Sequence, residues 1–375
     1  MLRKINIILL FVIYNFNHLA AQKCRYVDSI SYCELKKGIT NLLENKDDIQ
    51  LFVLGEEHPY LENKDIDLIT FQILLNKYEK VDLIQEISFS HALLVNNYLQ
   101  FNDTTFFKLN DYLHCHYMDY VQELKLVYDN SNYKFQVIGF DTEFHKYTFA
   151  PQLALRHICH QVKITNIKSS YSKNFRDFLY LIHVESKLSD ITESHSKSLL
   201  KVCNKLILEE QNFYKDIFGT SYDDFLRIIL DLQFGFELRK DYENHKREDL
   251  LYKRCRKILR KESAKKYFIP FGNAHVNKLI VKEGKFTPFI KKLNDDGFNI
   301  LTGYRLYTYY DESNNKKWKH FLKLINDFYG INEQQTIDLL SKHFGKEDNF
   351  IIKPTYIKGI DFILLLNKPI SLSFY

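Results

Sequence analysis

The chain is 375 residues long, 45% hydrophobic and 26% charged, with a formal net charge of +5. That length supports one large or two ordinary domains with a substantial core, and that balance excludes global disorder. Lysines and acids are mixed throughout, so no single-signed arm or face offers a nucleic-acid footprint, and no nucleic-acid partner is expected.

Residues 1–21 have the layout of a cleaved secretory signal. Arg3 and Lys4 are the basic start, Ile5 to Phe16 the apolar centre, and His18-Leu19-Ala20-Ala21-Gln22 the small-residue end. The apolar run is shorter than the roughly 20 residues that span a bilayer, so the expectation is a secreted or periplasmic protein with no stable membrane span after cleavage. Gln22 and Lys23 precede Cys24 where a lipoprotein signal needs small residues, which argues against lipidation. The six cysteines, Cys24, Cys33, Cys115, Cys159, Cys203 and Cys255, permit disulfides in an exported chain but show no CxxC spacing.

A helix is predicted around Glu34 to Glu44, then a strand over Ile49 to Leu54 that Gly55 breaks, followed at once by His58. Asp65 to Tyr78 carries Ile66, Ile69, Leu74 and Leu75 at helical spacing, and Val81 to Glu86 is a second short strand. Strand, helix, strand predicts a parallel βαβ unit, with Glu86 surfacing at the same sheet edge as His58. A helix over His91 to Phe101 and an aromatic-rich helical region through Tyr128 lead to a third strand, Phe135 to Asp141, with Glu143 and His145 just after it. Each of these acids could simply cap the helix that follows.

From about Lys163 to Arg260 the pattern is helical and densely charged, ending in a helix with Arg247, Asp249 and Arg254. Tyr267 to Gly272 is a further strand, then come a helix near Phe286 to Asn294, a strand over Asn299 to Leu306, a polar stretch over 311–350 and a closing strand over Ile360 to Leu366. The expected architecture is α/β, a mostly parallel central sheet flanked by helices with a helical insertion or lid subdomain. The expected division is a signal at 1–21, the first part of the α/β domain at 22–162, the insertion at 163–260 and the second part at 261–375.

Two strand ends carry the same device: Gly55-Glu56-Glu57-His58 and Gly272-Asn273-Ala274-His275 both deliver a Gly-x-x-His from an apolar run. In a parallel sheet both histidines emerge at the carboxyl edge, where α/β sheets build their sites. Histidine titrates near neutrality, so two imidazoles beside carboxylates can move protons or hold a metal. The catalytic candidates are therefore His58, His275, Glu86 and Glu56, with Arg247 and Asp141 as substrate-binding candidates. His58, His275 and Glu86 could instead ligate a divalent metal that activates water. A single histidine or strand-end acid is more often structural, and Arg247 could equally lie on a solvated helix face; repetition of the motif is what favours function. No Gly-x-Ser-x-Gly elbow and no glycine-rich phosphate loop is present.

These residues carry a resemblance. The Gly55 to His58 turn, the strand ending at Glu86, Val137-Ile138-Gly139-Phe140-Asp141, the helix with Arg247 and Asp249, and Gly272 to Val276 are similar to the erythromycin esterase, haem-binding ChaN and TIKI superfamily. The similarity runs from about Leu51 to Arg305. It implies an α/β fold in which both Gly-x-x-His turns and their acids share one pocket, in members that open macrolide lactones, cleave peptides with a metal, or bind haem. Macrolide esterases place one more residue between the first glutamate and histidine, and carry a histidine where this chain has Gly272. The implied function is hydrolysis of an ester or amide in a small-molecule or peptide substrate, with haem uptake or carriage as the alternative, and a divalent metal or haem as the implied cofactor.

Overall fold

The computed structural model describes residues 32–56, 63–109, 115–143, 149–164, 168, 170–183, 193–209, 211–241, 244–262, 264–272, 275–276, 278, 287–307, 350–354 and 361–366. His58 and the expected signal at 1–21 lie outside them, as does most of 311–350. In chain order the principal elements are α1 (Tyr32–Leu43), β1 (Leu51–Glu56), α2 (Asn63–Lys77), β2 (Val81–Ser88), α3 (Phe89–Phe101), α4 (Cys115–Asn130), β3 (Val137–Asp141), α5 (Phe149–Gln161), α6 (Lys173–His183), α7 (Glu193–Glu209), α8 (Gln211–Phe218), α9 (Tyr222–Asp241), α10 (Asn244–Lys261), β4 (Lys266–Gly272), α11 (Phe289–Asp295), β5 (Ile300–Tyr307), β6 (Phe350–Pro354) and β7 (Phe362–Leu366).

The strands form a sheet of order β3-β2-β4-β1-β5-β7-β6. Pairs β2–β3, β2–β4 and β5–β7 are parallel, and the edge strand β6 runs antiparallel to its neighbour β7. The α/β, mostly parallel architecture thus matches the sequence pattern, because Leu51 to Leu54, Val81 with Leu83 and Ile84, and Phe268 with Ile269 are all buried, as strands covered on both faces require. One local expectation changes. Gly55 does not end β1, which runs on through Glu56. In the sheet β4 lies between β1 and β2.

Close contacts divide the chain into two units, one of Met1–Asp48, Glu56–Ile73 and Gly303–Tyr375, the other of Ile49–Gly55 and Leu74–Thr302. The first contains Arg305, fully buried, whose guanidinium donates to the Asn63 carbonyl at 2.9 Å and pairs with Asp67 at 2.8 Å and Glu56 at 3.2 Å. Burial raises the Asp67 pKa well above the ordinary value, Arg305 opposes that rise, and Glu56 adds to it. In the second unit, α5 to α10 occupy 149–261 with no strand among the described residues. Phe175, Phe178, Tyr214, Phe218 and Phe225 form the apolar centre of these helices, with the Phe218 and Phe225 rings stacked at 4.5 Å. Among the described residues no helix is long and apolar enough to cross a membrane. Cys159, Cys203 and Cys255 are buried free thiols.

Candidate functional site

The carboxyl ends of β2, β3 and β4 converge on one helix, α10. The convergence starts from an irregularity in β2. Its register with β3 runs Gln85 to Gly139 and then Ser88 to Asp141, so Glu86 and Ile87 together oppose Phe140. Such a bulge re-aims a side chain and is common beside functional sites. Gly139 makes it possible, because a Cβ there would meet the Ser88 carbonyl oxygen at 2.1 Å. On the other side, the β2–β4 pairing ends at Leu83 and Phe268, two residues before Pro270, which has no N–H to donate. Beyond that point Gly272 N–H donates to Glu86 Oε2 at 3.2 Å, so a side chain takes over from the interrupted ladder.

Glu86 also meets α10. Arg247 Nη2 donates to Glu86 Oε1 at 2.6 Å and to Asp141 Oδ2 at 2.5 Å, while its Nε donates to Asp141 Oδ1 at 3.0 Å. The grip on Asp141 is the bidentate fork that a guanidinium makes and an ammonium cannot. Asp141 is fully buried and Arg247 only 16% exposed. Burial by itself lowers the Arg247 pKa, but Asp141 and Glu86 outweigh it and hold it above its ordinary value.

The next residue on α10, Glu248, is fully buried and contacts His275 Nδ1. Its second oxygen accepts the Phe289 N–H at 2.7 Å, capping α11, whose N-cap Pro288 supplies no side-chain cap. Phe271 packs edge-on against the His275 ring at 5.1 Å, and Phe140 and Phe289 close an aromatic wall behind it. With Glu248 accepting at Nδ1, the neutral imidazole carries its lone pair on Nε2.

Four expected residues, Glu86, Asp141, Arg247 and His275, therefore meet α10 in one neighbourhood of the second unit. Glu56 is instead held by Arg305 in the first unit, and His58 lies outside the described residues. Asp249, part of the resemblance, is exposed and pairs with Lys292. Glu248 was missed by the sequence reading, although a signal existed. It falls in the row Glu248, Leu251, Cys255 and Leu259, the buried stripe of α10, and an acid in an apolar stripe requires a buried partner.

Among the described residues no group of three or more His, Cys, Asp and Glu side chains could hold a metal ion. Glu86 itself fits one badly, since a divalent cation on this carboxylate would lie beside the Arg247 guanidinium already bound to it.

No family model and no curated protein matches the sequence. Among solved structures the chain is similar to a mutant of the erythromycin esterase EreC in its open conformation, with a TM-score of 0.54 at 12% identity over 88% of this chain and 95% of that one. It is also similar to a Bacillus cereus protein, with a TM-score of 0.46 at 15% identity over 76% of this chain and 72% of that one. A third is ChaN of Campylobacter jejuni with cofacial haem, with a TM-score of 0.33 at 13% identity over 72% of this chain and 87% of that one. The first likeness is one of fold, and at that level it bears out the resemblance carried by the strand-end motifs.

Proposed function

We propose that this chain is an exported hydrolase that acts on an ester or amide by activating water with a histidine–carboxylate pair. The supporting observation is the contact between buried Glu248 and His275 Nδ1. In this reading His275 Nε2 takes a proton from water as the hydroxide attacks the substrate carbonyl carbon. The Glu248 carboxylate stabilises the imidazolium that forms. His275 then returns the proton to the departing alkoxide or amine.

Arg247, fixed by Asp141, holds Glu86 in place and is the substrate-binding side chain of this reading. From the sequence pattern alone, His58 and Glu56 of the first Gly-x-x-His turn are proposed as a further imidazole and carboxylate that hydrolysis requires. The departures at Gly272 and at the first motif argue against a macrolide lactone as substrate. No step in this scheme runs through a metal.

The test is a panel of p-nitrophenyl esters and peptide p-nitroanilides, assayed with wild type and His275→Ala. Turnover that falls by about 10²-fold or more in the variant, with an unchanged unfolding temperature, is the expected result. Full activity in His275→Ala, or no turnover of any substrate by wild type, overturns the reading. In the latter case a Soret band on adding haem, lost in His275→Ala, would assign the chain to a carrier role.

A further inference from the structure

Behind Asp141 the chain leaves β3 through Thr142 and Glu143, and this exit is held from several sides. Arg254 on α10 donates to the carbonyls of Phe140 and Asp141, both at 2.9 Å, and its other nitrogen pairs with buried Asp231 of α9. Arg227, also on α9, donates to the Gly139 carbonyl at 2.9 Å and stacks on the Phe89 ring at 4.1 Å. Gly235 lets α9 lie directly on the exit, since a Cβ there would meet the Glu143 carbonyl oxygen at 1.9 Å. The last hold is Glu143 itself, whose Oε1 accepts the Ser90 N–H of α3 at 3.2 Å.

Glu143 is 1% exposed, and its Oε2 has no hydrogen-bond partner. Of the guanidiniums nearby, Arg247 is bound by Asp141 and Glu86 and Arg254 by Asp231, while Arg227 donates to a backbone carbonyl and acts on Glu143 through its charge without pairing with it. Among the described residues Glu143 forms no ion pair. A carboxylate buried with one oxygen unsatisfied, close enough to Asp231 to feel its charge, is unfavourable, whereas the neutral acid is tolerated.

We infer that Glu143 is held as a neutral carboxylic acid and acts as a pH-sensitive latch, a positioning residue that keeps the β3 exit closed on α3 and α9 and so keeps Asp141 aligned with Arg247. The charged and titratable groups around it are Asp231, Asp224 and Arg227 of α9, Arg254 of α10, Asp141 of β3, and His91 of α3, which shares the Ser88 hydroxyl. Burial lowers the His91 pKa to about 4, leaving it neutral where the latch operates. Burial is also the largest cause acting on Glu143 and, with Asp231, pushes it up to about 8 against the Ser90 and Ser88 donors. A folded pKa above the unfolded one means that the stabilisation is complete below the ordinary carboxylate range and is lost as pH rises through about 8.

The latch deepens the hydrolase reading by giving its site a pH control, but it can be tested without any substrate. Amide hydrogen exchange of peptides covering 137–143 is compared between wild type and Glu143→Gln, which mimics the protonated acid, at pH 4 and pH 9. The two should match at pH 4, with wild type exchanging about tenfold faster or more at pH 9. Equal exchange at both values, or a variant already loosened at pH 4, overturns the latch. If the ester panel shows turnover, Glu143→Gln should also retain activity at pH 9 where wild type loses it, and parallel alkaline limbs would overturn the link to the site. Absence of turnover would count against the hydrolase reading and leave the exchange result to decide the latch.

Discussion

Glu248 and Arg247 sit side by side on α10 yet do different work, because the helix turns them to different partners. Arg247 reaches the strand-end acids, while Glu248 points into the buried stripe and meets His275 and the start of α11. Glutamine at 248 can still accept the Phe289 N–H, but its NH2 would then donate to His275 Nδ1 and fix the other tautomer, and it carries no charge to stabilise an imidazolium. Glu248→Gln is accordingly expected to lower hydrolysis by roughly 10²- to 10⁴-fold while α11 stays folded. Steady-state rates on the best ester of the panel, read beside circular dichroism, check this, and wild-type rates in the variant would remove Glu248 from the mechanism.

At the scale of elements, the site depends on two places where β2 departs from a regular ladder. The bulge against β3 needs the missing side chain at Gly139, and the divergence from β4 follows the loss of a donor at Pro270. Gly139→Ala places a Cβ against backbone atoms that cannot swing aside. The expected cost is about 1–3 kcal/mol, with Glu86 drawn away from Arg247, and urea unfolding measures the first part. An unchanged midpoint would mean that the bulge relaxes without strain. The pattern of apolar runs was sufficient to predict both strands. It could not show the bulge, because a bulge is a property of the pair, and the paired residues Ser88 and Asp141 lie far apart in sequence.

For the whole molecule, two expectations concern segments beyond the described residues. The N-terminal pattern predicts that protein recovered outside a secreting host begins at Gln22, which intact-mass measurement and N-terminal sequencing would check; a chain still starting at Met1 would remove the export reading. The first Gly-x-x-His turn predicts that His58→Ala abolishes hydrolysis without unfolding the protein, and full activity in that variant would sink the two-histidine scheme.

The sequence by itself determined the parallel α/β architecture, through buried strands too apolar for a one-sided sheet, and it singled out Glu86, Asp141, Arg247 and His275 by their places at strand ends and on one charged helix. Only the tertiary structure decided how these groups pair. Arg247 bridges two carboxylates, Glu248 backs His275, and Glu143 lies buried with no ion pair among the described residues, and each of these follows from which helix face meets which strand end. Spacing along a chain specifies a face; the partner that face meets is settled only when segments distant in sequence pack together.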